Sequence, residues 1–89
     1  MKFTVILAKD AAKKLSKLDS KTKTRIKERL RQLAEDPFNS RFGKPLVNAL
    51  GRWSSRVGST WRIVYRVQLD ERRVIVDAIQ PRGEVYRQL

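Results

Sequence analysis

The run Trp-Arg-Ile-Val-Tyr-Arg-Val at residues 61–67 carries the chain's clearest chemical pattern. Strict alternation places Trp61, Ile63, Tyr65 and Val67 on one face of a strand, and Arg62, Val64, Arg66 and Gln68 on the other. The first face suits a core; the second presents guanidinium groups. Arg52 and Arg56 lie in the preceding run, and Gly58-Ser59-Thr60 reads as the turn that joins the two runs into a β-hairpin. No acidic residue occurs between Arg41 and Gln68, so these guanidinium groups lack a local partner and are available to an anion. Basic residues are also segregated by type. All nine lysines fall within the first 44 residues, whereas eight arginines and no lysine follow from Pro45 onward. A guanidinium is a planar fork that grips phosphate oxygens in pairs, while an ammonium is a hydrated point charge. The first half therefore reads as a solvated cationic surface and the second as a place where phosphate is held in defined geometry. Lys44 is the only lysine near the hairpin.

The whole composition points the same way. Twenty-one Lys and Arg against nine Asp and Glu give a net charge of +12 in 89 residues. Such a domain partners phosphate, an acidic protein, or both. Histidine and cysteine are absent. Chemistry here would have to use Arg, Lys, Tyr, Ser or a carboxylate, without the commonest general base or thiolate. Asp77 and Glu84 are the acids nearest the C-terminal end, and no Asp/Glu cluster has metal-ligand spacing. The lack of cysteine favours a reducing, cytoplasmic setting. The apolar run at residues 3–8 is too short for a membrane span or a signal-peptide core, and reads as a first strand. The length suits a single domain, residues 1–89.

The elements that must position the arginines are legible in outline. After the strand at residues 3–8, Asp10 is placed to cap a helix over Ala11–Leu18, with Ala11, Leu15 and Leu18 on its apolar side. Asp19-Ser20 caps a second helix, about Lys21–Glu35, with Ile26, Leu30, Leu33 and Ala34 as its stripe and Pro37 ending it. Its other face is basic, and reads as solvated. Residues 38–48 read as a loop anchored to the core by Phe38, Phe42 and Leu46. Strands follow at Arg52–Val57, Thr60–Gln68 and Arg72–Ile79; the last is apolar on both faces, which suggests a central position. Trp53 and Trp61 read as core residues. The expected class is α+β: a small twisted, mostly antiparallel four-stranded sheet with two N-terminal helices on one face, in the order β-α-α-β-β-β.

That order, with Gly-Lys-Pro-Leu at 43–46, Leu-Gly-Arg-Trp-Ser-Ser-Arg-Val-Gly at 50–58, Trp-Arg-Ile-Val-Tyr at 61–65 and Pro-Arg-Gly-Glu-Val-Tyr-Arg at 81–87, resembles the RelE/ParE superfamily of type II toxins over essentially the whole chain. The resemblance implies a toxin neutralised by a cognate antitoxin, and favours the RelE-like branch. Members of that branch are metal-independent endoribonucleases that enter the ribosomal A site and cut mRNA, using no cofactor. It implies a catalytic set of Arg62, Arg82, Tyr86 and Arg56: Arg62 and Arg82 on the scissile phosphate, Tyr86 on the cut nucleotide, and Arg56 on the preceding strand. Lys44, Arg52, Arg66 and Arg87 are expected as further RNA contacts. Ser54 and Ser55 stand where the best-known relative carries lysines. Partners would be the antitoxin, mRNA and ribosomal RNA, with DNA reached only through the antitoxin and no membrane. The alternatives are a ParE-like inhibitor of DNA gyrase without nuclease activity, and a small basic RNA-binding module.

Overall fold

The computed structural model describes residues 2–47 and 51–81. The chain enters as strand β1 (Thr4–Leu7), turns through helices α1 (Lys9–Lys17) and α2 (Ser20–Glu35), and continues as β2 (Lys44–Pro45), β3 (Arg52–Val57), β4 (Trp61–Gln68) and β5 (Arg73–Pro81). The class is the expected α+β. Among the described residues the sheet has five strands rather than four, in the order β1-β5-β4-β3-β2. The extra strand is only two residues long and contains a proline, so alternation could not reveal it. It is tolerated because it lies at the sheet edge, where a missing N–H leaves no ladder bond unmade.

Strand β5 pairs with β1 in parallel and with β4 antiparallel, which gives it the expected central position. Its apolar residues on both faces have a second cause. Val64 pairs with Ala78 but Tyr65 pairs with Val76, so Asp77 is an extra residue on β5. This bulge shifts the alternation by one: Val74 and Val76 are buried on one side of it and Ile79 on the other.

Both helices lay their apolar stripes on one face of the sheet. Ala11 and Leu15 of α1, and Ile26, Leu30 and Leu33 of α2, form one cluster with Val57, Ile63, Tyr65, Val74, Val76 and Ile79. Each Val, Leu or Ile among them contributes about 1.5–3 kcal/mol when fully buried. Trp53 and Trp61 pack against the cluster, as the sequence suggested. The Asp19 carboxylate accepts a hydrogen bond from the Thr22 N–H and caps α2, also as expected. Two local expectations fail. Helix α1 begins at Lys9 with Ala8 at its N-cap, so Asp10 lies in the first turn instead. The sheet holds the chain up to that point, because the Ala8 N–H donates to Val76 O. Phe38 is no core anchor: it is 42% exposed and meets Trp53 edge-on at 5.3 Å. Among the described residues, no helix is long and apolar enough to cross a membrane.

Candidate functional site

On the sheet face away from the helices, β3 and β4 set arginines opposite one another twice. Arg52 faces Arg66, and Arg56 faces Arg62. Like charges directly opposite destabilise a ladder, and the first pair shares one carboxylate within the protein. Asp77 accepts two hydrogen bonds from Arg66, from Nε at 2.8 Å and Nη2 at 2.9 Å. Arg52 Nε lies 3.7 Å from the same carboxylate. The forked pair lifts the Arg66 guanidinium further above its ordinary range. The reading that these guanidiniums lack a partner is therefore overturned: Arg62 is not free, and Arg52 and Arg66 share Asp77. Their counter-ion is distant in sequence, and the bulge turns it onto their face.

The second pair opens onto a cleft of about 240 Å³. One wall is the segment Ser40, Arg41, Phe42, Gly43 and Lys44; the other is Ser54, Arg56 and Arg62. Four cations line it, and none of its lining residues among those described is acidic. Lys44 reaches the site because β2 sets it opposite Ser54 in the sheet. Several guanidinium forks, an ammonium and two serine hydroxyls around so small a volume form a donor set suited to phosphate oxygens. No group of three or more metal-ligating side chains occurs among the described residues.

The loop wall is fixed from below. Tyr65 is fully buried and donates its hydroxyl to Pro37 O at 2.8 Å. Burial pushes that phenol up to about 12. The same hydroxyl would lie 2.0 Å from a Cβ at position 43, so only glycine fits there.

Of the expected site residues, the structure brings together Arg62, Arg56 and Lys44, and holds Arg52 and Arg66 outside the cleft, farther along the same strands at Asp77. Arg82, Tyr86 and Arg87 lie outside the described residues. The adjacent serines part ways: Ser54 lines the cleft, while Ser55 is fully buried on the helix side. Sequence reasoning missed Ser40 and Arg41, although Arg41 opens the acid-free run that marked the hairpin.

Comparison with known proteins bears on what such a cleft serves. The family model of the ParE toxin of the type II toxin-antitoxin system parDE matches residues 5–86. The chain belongs to the RelE/ParE superfamily of type II toxins. Solved structures similar to this toxin include a chain of the toxin-antitoxin complex RelBE2 from Mycobacterium tuberculosis, 30% identical, with a TM-score of 0.80 over 92% of this chain and 100% of that one. The intact Escherichia coli RelBE complex supplies a fold match at 22% identity and a TM-score of 0.78, over 88% of this chain and 94% of that one. The YoeB/ParE toxin from Agrobacterium tumefaciens supplies another at 21% and 0.77, over 89% and 98%. Among curated protein sequences none matches. Several of the similar chains come from complexes with RelB.

Proposed function

We propose that this toxin is a metal-independent, ribosome-dependent mRNA endonuclease of the RelE type, acting in the cytoplasm and neutralised by a cognate antitoxin. The observation that carries the reading is the cleft between residues 40–44 and the β3–β4 pair, with Arg41, Lys44, Arg56 and Arg62 around it. In the reaction, the mRNA 2′-oxygen attacks the adjacent phosphorus. The O2′–P bond forms, the P–O5′ bond breaks, the 2′ proton leaves and the departing 5′-oxygen gains one. Charge accumulates on the non-bridging oxygens, where guanidinium forks stabilise it. Arginine stays protonated and is a poor base. Proton transfer would fall to Tyr86, if nearby cations lower its phenol, or to a neighbouring hydroxyl. Arg82 would share the phosphate. With no strong base, most of the acceleration must come from positioning and electrostatics, and the ribosome supplies the frame that splays the RNA.

The match to the ParE model favours a second reading, inhibition of DNA gyrase without catalysis. Expression in a bacterial host separates the two. The nuclease reading expects arrested translation, with cuts inside translated mRNA and almost none in naked RNA exposed to purified toxin. Intact mRNA together with DNA breaks and trapped gyrase would replace it with the ParE reading.

A further inference from the structure

Arg29 sits in α2 among the basic residues that read as a solvated face, but it is half-buried and turned to the sheet. Its Nε donates to Gln32 Oε1 at 2.9 Å. Its Nη1 donates to Ser55 Oγ at 2.9 Å and to the Arg56 carbonyl at 2.6 Å. Its guanidinium carbon lies 5.2 Å from the centroid of the Phe42 ring. Among the described residues no carboxylate lies within ion-pair distance of it. Phe42 belongs to one wall of the cleft and Arg56 to the other. One guanidinium thus touches both walls from behind.

We propose that Arg29 is a positioning residue of the cleft, which holds its loop wall and its strand wall in register without touching substrate. The geometry alone carries the effect on the walls; the effect on rate rests on the nuclease reading. A bond to the Arg56 carbonyl restrains the backbone from which the Arg56 side chain departs. The stacked Phe42 ring restrains Gly43 and Lys44, its neighbours in the chain. No other residue type meets both demands. Lysine has no second donor nitrogen for Gln32 and no flat face to lay on the Phe42 ring while its ammonium bonds the two oxygens. Methionine keeps the apolar volume but neither bond.

The test compares Arg29→Met and Arg29→Lys with Arg31→Met, which removes one charge from an exposed ion pair with Glu28 on the same helix. Two readouts are taken. The first is amide hydrogen exchange at Phe42 and Gly43, whose N–H groups donate to Asn39 O at 3.0 and 3.1 Å, with Ile63 and Val76 reporting on the core. The second is single-turnover cleavage on programmed ribosomes over a range of toxin concentrations. Both Arg29 variants are expected to speed wall exchange by about tenfold or more, leave core exchange within about twofold, and lower the maximal rate by about tenfold or more, because small misplacements of reacting groups are costly. The half-saturating concentration should stay within about twofold, since the total charge that sets binding drops by one in the two methionine variants and not at all in Arg29→Lys. Arg31→Met should alter neither wall exchange nor maximal rate. Unchanged wall exchange overturns the proposal. So does a loosened wall with an unchanged rate, or a rate loss that tracks faster core exchange. Wild-type toxin that fails to cut on ribosomes strikes the nuclease reading before any variant is made, and wall exchange then decides the positioning claim by itself.

Discussion

A side chain rooted in a strand is held more firmly than one on a loop, and that separates Arg62 from Arg41 within the same cleft. If Arg62 stabilises the charge that builds on the phosphate, Arg62→Ala should slow single-turnover cleavage by about 10²–10³, the usual effect of losing one preorganised donor. Arg62→Lys should recover little, since an ammonium makes no paired contact. Arg66 is the control: Asp77 already holds it, so Arg66→Ala should cost less than about tenfold. A folded Arg62→Ala toxin that cuts at the wild-type rate removes Arg62 from the site. Tyr65 and Gly43 pose a different question, because a hydroxyl and a missing Cβ share one space. Gly43→Ala should destabilise by about 1–3 kcal/mol through overpacking. Adding Tyr65→Phe should return part of that loss, because the nearest remaining ring atom would then be 3.2 Å from the new Cβ; strictly additive losses in thermal melts would contradict the shared-space account. The sign of the pH effect follows from burial. Tyr65 titrates near 10 when unfolded and near 12 when folded. Above pH 10 the unfolded chain therefore loses a proton that the folded one keeps, and stability falls by roughly 1.4 kcal/mol per pH unit until about pH 12. Subtracting the Tyr65→Phe profile from the wild-type profile isolates this slope from the titration of lysines.

Among the elements, β5 shows how far a sequence can be read and where it stops. Alternation in β4 gave the right faces residue by residue, because its register runs unbroken along β3. In β5 the same rule gave two apolar faces, because a bulge at Asp77 changes the phase midway and leaves no mark in one-dimensional spacing. The cost of missing it fell on Arg52 and Arg66, whose counter-ion arrives only through that bulge. Strand β2 stayed hidden because two residues show no period, and with it the register that brings Lys44 to Ser54. Arg29 stayed hidden among cations that differ from it only in which way the helix turns them. Arg56 and Arg62, visible beforehand, lie on regular strands; on the loop wall Lys44 was expected from its place beside the hairpin, and Ser40 and Arg41 were not. A test at this scale is Asp77→Ala. It should leave two arginines opposed without an anion and lower stability by about 0.5–1 kcal/mol, the range for partly exposed pairs. A second change, Arg66→Ala, should restore most of the loss, and the effect should shrink in high salt. Equal losses in the single and double variants would show that the bulge, and not charge, sets the cost.

At the scale of the whole molecule, the dominant fact is a charge of +12 carried by 89 residues. Long-range attraction of that size governs encounter more than residence, because it acts before contact and is screened beyond about 8 Å in physiological salt. Similar chains have been solved with RelB bound, and the antitoxin proposed for this toxin should carry net negative charge together with an apolar helix or strand. The two features then divide the kinetics. Charge complementarity raises the association rate, while desolvated apolar contacts set the lifetime of the complex. Raising salt from about 50 to 500 mM should therefore slow association by about tenfold or more and change dissociation by less than about threefold. Stopped-flow association and competitor-chase dissociation across one salt series measure both. Ribosome binding should share the first dependence, since phosphate contacts accumulate across a basic surface and weaken together as salt rises. The antitoxin's dissociation should not, and that difference allows a bound toxin to stay silenced under conditions in which free toxin has already lost its grip on RNA. If salt instead speeds antitoxin dissociation as steeply as it slows association, the complex is held by charge alone, and the apolar segment expected of the partner is absent from the interface.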